Sequence, residues 1–236
     1  MIKKTNGIVL KNFLYSDNKR IITVFCKENG KKSFMTFNGS HKNNFFKIFQ
    51  HLSLVNIEFD DNKKGSFLKV KQANIYYPYK SLYNAFERSS IVFFIAEFLD
   101  KILDQDFVDD FLFDFVANSL IYFDKADFNP NFHIAFVFDL LHFLGILPHS
   151  NYSDENKFFD IKKCEYSNYF FEEFCLDDIL SYKLLKISKF GIKNSNLVPL
   201  NRNERQLILD KLIDYYSLHY KHIGKLNSTK VLTQLF

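Results

Sequence analysis

The chain has 236 residues, with 31 Lys/Arg against 27 Asp/Glu for a formal net charge of +4. Its hydrophobic fraction of 47% is enough for a real core and excludes a globally disordered chain. The charge is split by position. Residues 1–80 hold 15 Lys/Arg against 5 Asp/Glu, a balance of +10, and residues 81–236 hold 16 against 22, a balance of −6. A basic block beside an acidic one points to one part that meets a polyanion and another that does not; the bland alternative is a solvated lysine-rich surface.

Several other classes are excluded early. The start, Met1-Ile2-Lys3-Lys4-Thr5-Asn6-Gly7, has no apolar signal region behind its lysines. The longest purely apolar run, Ile91–Ala96, is far short of the roughly 18 residues that a membrane span needs. The expectation is a cytoplasmic, nucleoid-associated protein without membrane contact. Cys26, Cys164 and Cys175 form no close pair, so neither a disulfide framework nor a four-thiolate zinc site is legible. The 30 Phe and 13 Tyr, together with abundant Lys, Asn and Ile, match an AT-biased coding sequence and do not by themselves argue for base stacking.

In chain order, five runs read as strands: Gly7–Phe13, Arg20–Lys27, Lys31–Phe37, Leu52–Phe59 and Ser66–Ile75. Asn29-Gly30 is a hairpin turn between the second and third, and Phe45–Phe49 reads as one helical turn. Five short strands in this length predict a small closed barrel. Past Pro78 the period changes from 2 to 3.6. Ser81–Leu103 reads as a central buried helix and Val108–Phe123 as a second. Asn129-Pro130 predicts the cap and first position of a third helix, which stops near Gly145. Residues 149–175 show no period, and Leu176–Ser188 is a shorter helix whose start Asp177 and Asp178 suit electrostatically. Asn201 and Glu204 form a capping box opening a helix to about Tyr220, and Thr229–Leu235 is a last short one.

Recognisable catalytic chemistry is missing. The 7 glycines form no phosphate-cradling loop, and there is no nucleophile elbow. Cys26 lies mid-strand, as a buried inert thiol does. His219 and His222 have a possible metal-ligand spacing, but no nearby Cys or carboxylate in sequence completes it. The expectation is a non-enzyme with no cofactor and no metal.

The ordered segments Gly7-Ile8-Val9-Leu10, Tyr15-Ser16-Asp17-Asn18-Lys19-Arg20-Ile21-Ile22-Thr23-Val24-Phe25 and Glu28-Asn29-Gly30-Lys31 resemble the N-terminus of the RecO family of bacterial recombination mediators. Asn38-Gly39-Ser40-His41-Lys42 sits where that family has a glycine and basic residues. Leu144-Gly145-Ile146-Leu147-Pro148, Tyr215-Tyr216-Ser217-Leu218-His219 and Leu226-Asn227-Ser228 through Leu232 continue the likeness in family order. The resemblance implies an α+β protein: a basic five-stranded OB-fold barrel over residues 1–78, then a mainly α-helical domain over 79–236. Many members carry a four-cysteine zinc element where this chain has only Cys164 and Cys175, so residues 149–176 read as a degenerate remnant of it.

The resemblance further implies DNA repair and recombination without catalysis. It implies binding of single- and double-stranded DNA, annealing of complementary strands, capture of the C-terminal tail of single-stranded DNA-binding protein, and, with RecR, loading of RecA. On an OB barrel the candidate phosphate contacts are Lys19, Arg20, Lys31, Lys32, Lys42, Lys47, Lys69 and Lys71, with the hairpin and loop lysines expected on turns. Phe34 and Phe37 are candidates for base stacking or for barrel core. The tail-peptide pocket is expected within 81–236. Two rivals remain at this point: an OB-type protein–protein adaptor whose lysines only solubilise it, and a translation-type OB protein, which fits the barrel but not the helical half.

Overall fold

The structure is a computed structural model in which residues 1–17, 19–37, 45–61, 67–105 and 107–235 are described, the side chains of Phe37, Phe45, Phe46 and Leu235 excepted. It divides into two compact units, Met1–Lys125 and Ala126–Phe236.

The first unit begins with the strands β1 (Ile2–Ser16), β2 (Lys19–Cys26), β3 (Gly30–Phe37), β4 (Leu54–Asp60) and β5 (Leu68–Tyr77), with a single turn α1 (Phe45–Ile48) between β3 and β4. They close a barrel in the order β1-β2-β3-β5-β4. All neighbours are antiparallel except β3 and β5, which meet in parallel at Phe34 with Leu68 and Met35 with Lys69. Alternation places Val9, Ile22, Val24, Cys26, Phe34, Val55, Ile57 and Phe59 inside, and Phe49 joins them from below β4. Phe34 and Phe59 meet edge to face at 5.3 Å. Phe34 is fully buried, so it is core and not a stacking platform. A Cβ at Gly7 would collide with the Val24 side chain, which explains glycine there.

The same unit continues into α2 (Phe86–Ile102) and α3 (Asp110–Lys125). The predicted helix start at Ser81 is five residues early. The amides of Lys80, Ser81 and Leu82 donate to the Asp124 carboxylate at the end of α3, at 3.0, 2.7 and 2.8 Å, and the chain there makes a turn, with Asn84 N donating to Ser81 O at 3.0 Å, before α2 begins. Buried Arg88 donates to the Phe123 carbonyl and lies over the Phe123 ring.

The second unit packs α4 (Phe132–Phe143), α5 (Asp178–Asn194), α6 (Arg202–His219) and α7 (Thr229–Leu235) with a two-stranded β6 (Phe158–Asp160) and β7 (Glu165–Ser167). The predicted cap of α4 at Asn129 is displaced. Asn131 is the N-cap; Asn129 Oδ1 accepts locally from Asn131 N (2.9 Å) while its amide donates to Ser195 Oγ (2.8 Å), and the Asn131 amide donates to the carbonyls of Ser195 (2.9 Å) and Val198 (2.8 Å). Gly145 ends α4 in the left-handed region, with Ile146 N donating back to Leu141 O at 3.1 Å. α5 runs past Ser188 through a break at Gly191 (φ 61°). Asp177 caps α5 by accepting from Leu180 N at 2.7 Å, and Asn201 and Glu204 form the expected capping box on α6. Among the described residues no helix is long and apolar enough to cross a membrane.

Candidate nucleic-acid interface

The barrel has two rims, and they are chemically different. At the first, the β2–β3 hairpin turns at Gly30, whose φ of 67° suits glycine. This hairpin lies against the chain after α2: a Cβ at Gly30 would sit 2.8 Å from Phe107 O and 2.9 Å from Gln105 O. Its lysines follow the same direction. Lys27 Nζ donates to both carboxylate oxygens of Asp114 (2.7 and 2.9 Å). Lys31 Nζ donates to Asp100 O at 2.6 Å, with the Asp100 carboxylate 3.6 Å away, and its side chain is only 16% exposed. Lys32 Nζ donates to Gln105 O at 3.4 Å. Lys31 and Lys32 are thus residues of β3 that donate to carbonyls of α2 and of the chain after it, and the expectation that they lie on a turn is corrected. On β1, Lys3 and Lys4 are likewise paired, with Asp61 (2.6 Å) and Glu58 (2.5 Å).

The second rim is where β1 ends, β2 starts, β3 ends and β5 starts. The register brings Ser16 opposite Lys19, Lys19 opposite Phe37, and Met35 opposite Lys69. Here Tyr15, 59% exposed, meets Phe67 with ring centroids 6.5 Å apart. Phe13 and Leu14 are also exposed, and Lys11 Nζ lies 5.5 Å over the Phe13 ring. Lys69 and Lys71 project outward on β5, where the intervening Val70 packs on the core. Both are exposed, and no ion pair to either is found among the described residues. Lys19 and Arg20 open β2, and the Arg20 Nε donates to Asn12 Oδ1 at 2.8 Å. Lys47 is exposed on α1. Lys42 lies outside the described residues.

Of the eight candidate cations, the fold therefore brings Lys19, Arg20, Lys69 and Lys71 to one region and holds Lys31 and Lys32 at the opposite rim. The stacking candidates missed by sequence reasoning are Tyr15 and Phe67. The available signal was their position beside the β1–β2 and β4–β5 turns, the loops that OB barrels use for oligonucleotides.

Burial pushes the Cys26 thiol up to about 12, with the Glu28 charge adding to it. In the second unit, Cys164 Sγ lies 3.4 Å from His219 Nε2, which also contacts the Ile161 carbonyl. Buried Cys175 turns to the Tyr169 carbonyl at 3.8 Å, and burial raises its thiol. The two thiols have different partners, and among the described residues no group of three His, Cys, Asp or Glu is arranged to hold a metal. The residues present do not fit a four-ligand zinc site.

Residues 1–79 match the family described as recombination protein O N terminal, and residues 83–230 match recombination protein O C terminal. The chain belongs to the RecO family. It is 30% identical over 240 residues to the DNA repair protein RecO of Phocaeicola vulgatus, covering 100% of both chains. It is 31% identical over 245 residues to the DNA repair protein RecO of Azobacteroides pseudotrichonymphae, again with 100% of both covered. The Flavobacterium psychrophilum DNA repair protein RecO is 28% identical, covering 99% of this chain and 98% of its own. The barrel with its following helices is the architecture expected of a RecO protein, and DNA repair is the general role of the family. The family boundary near residue 80 separates barrel from helices, whereas the compact units divide at Lys125, because α2 and α3 pack with the barrel.

Proposed function

We propose that this RecO protein is a non-enzymatic recombination mediator that holds DNA on the second rim of its barrel. The observation that carries the reading is the ring pair of exposed Tyr15 and half-buried Phe67 beside Lys69, Lys71 and Lys19. Aromatic faces stack bases without regard to sequence, and lysines follow the phosphates. Two strands repel each other as polyanions, and a surface that neutralises both lowers that barrier, so annealing needs no covalent step. The same reading covers single- and double-stranded DNA, cooperation with RecR, delivery of RecA, and capture of the acidic tail of single-stranded DNA-binding protein by residues 81–236. It is carried out in the cytoplasm, at the nucleoid.

The deciding experiment is a mobility shift with single- and double-stranded DNA at two salt concentrations. Binding at low salt that weakens at high salt is the expected result. No binding at low salt would leave a protein–protein adaptor, whose barrel lysines only keep it in solution.

A further inference from the structure

Beside the second rim, within the first unit, is a cleft of about 360 Å³. Clefts of about 300–1,000 Å³ are the size that takes small molecules or single groups of larger ones. Asn12, Arg20, His51 and Tyr83 line it together with Val92 and Phe93 of α2. The lining is mainly apolar. Phe93 is 52% exposed and meets His51 edge to face at 5.0 Å. Tyr83 is fixed by its hydroxyl, which donates to His51 O at 2.7 Å. Asn12 holds the Arg20 guanidinium through Nε and is itself anchored by donating to Phe49 O at 2.9 Å. The wall is therefore built before any occupant arrives.

The cleft combines aromatic faces with a single guanidinium, which is the complement of a flat apolar group that carries one anion. Burial holds the His51 ring toward its neutral form, so Arg20 is the fixed positive charge in the lining. Arg20 directly follows Lys19 at the start of β2, so the cleft lies next to the strand end that carries Lys19. We propose that it receives one unpaired nucleotide of a bound single strand, with the base against Phe93 and a flanking phosphate on Arg20. This rests on the DNA-binding reading above and adds a preference to it. A duplex, whose bases are stacked and paired, cannot fill the cleft without unstacking, so the site distinguishes single strands from duplex.

The test uses a short oligothymidylate carrying one 2-aminopurine, and a duplex of the same length. The wild-type chain is expected to change the aminopurine fluorescence on binding. Phe93→Ala should abolish that change and weaken single-strand affinity by roughly fivefold to a hundredfold, the range for loss of one base–aromatic stack, while duplex affinity stays within twofold. Phe93 is half exposed, so the variant should keep its fold, which a melting curve checks. Arg20→Gln should make the single-strand salt slope shallower by about 0.7, the loss of one phosphate contact. DNA binding that is intact, with Phe93→Ala and Arg20→Gln both without effect, overturns the cleft alone. No DNA binding by the wild type overturns the cleft and the functional reading together. An acidic peptide with an apolar C-terminus that binds in a Phe93-dependent way, while the oligonucleotide is insensitive to Phe93, assigns the cleft to a protein partner and overturns the proposal.

Discussion

Lys31 and Asp100 are joined between the barrel and α2: the ammonium donates to the Asp100 carbonyl at 2.6 Å and lies 3.6 Å from its carboxylate, with both side chains largely covered. Together with Lys27 and Asp114 at 2.7 Å, this pair gives part of the positional charge split an internal meaning. Some of the barrel's positive charge is complemented by acidic residues of the helices that follow it.

The two rims should therefore respond differently to charge reversal. Lys31→Glu places a carboxylate against Asp100, and the first unit should lose about 3 kcal/mol, a shortfall of several degrees in melting temperature. Lys69→Glu with Lys71→Glu should leave the melting temperature within a degree or two, because both side chains are exposed, and should remove most DNA affinity. Melting curves and mobility shifts on the same samples check both. An unchanged affinity in the β5 variant would move the DNA surface elsewhere.

Binding should be electrostatic and almost indifferent to sequence. Neutralising four to six phosphates of a single strand gives a log–log salt slope of about −3 to −4. A titration series in salt measures it, and a slope near zero contradicts the assignment.

Asp124 clasps the segment leaving the barrel. Burial alone would raise its carboxyl, but the amides of Lys80, Ser81 and Leu82 and the Ser81 hydroxyl outweigh that and hold it below the ordinary 3.8. The lowered value means that its contribution is present above the unfolded carboxyl's pKa and is lost as pH falls through the folded one. Asp124→Ala should cost about 3 kcal/mol at pH 7, through stranded amides at residues 80–82. Denaturant unfolding at pH 7 and below 4 checks this, and the gap between wild type and variant should narrow in acid.

Asp139 behaves in the opposite sense. Burial raises its carboxyl from the ordinary 3.8 to about 6, only partly offset by the Ile192 amide beside the Gly191 break. The folded state therefore holds this proton more tightly. Its stabilising effect is complete below about 3.8 and is lost as pH rises through about 6. Asp139→Asn should remove that dependence and stabilise the second unit at pH 7.5 by up to about 3 kcal/mol. Unfolding curves between pH 4 and 7.5 would show it, and parallel curves for wild type and variant would refute it.

Chelation should leave the melting temperature unchanged, because Cys164 and Cys175 turn to separate partners. Stoichiometric zinc in purified protein, with unfolding on its removal, would contradict this.

Local rules were enough for much of the architecture. Period-2 alternation around Ile22 and Val24 marked the barrel, Asn29-Gly30 marked its hairpin, and Asn201 with Glu204 marked the start of α6, because each depends on residues close in sequence. At both misplaced helix starts the chain meets a partner distant in sequence. Asp124, 43 residues away, accepts from the Ser81 amide, and Ser195, 64 residues away, accepts from the Asn131 side chain, and neither partner is legible locally. The site divides along the same line. Composition revealed that the first 80 residues are rich in cations, since charge is additive along a chain. Which of those cations face solvent depended on closure of the barrel and on where α2 and α3 pack. That packing ties Lys31 to Asp100, and the closure gathers Tyr15, Phe67, Lys19 and Lys69 from strand ends up to 54 residues apart in sequence at one rim.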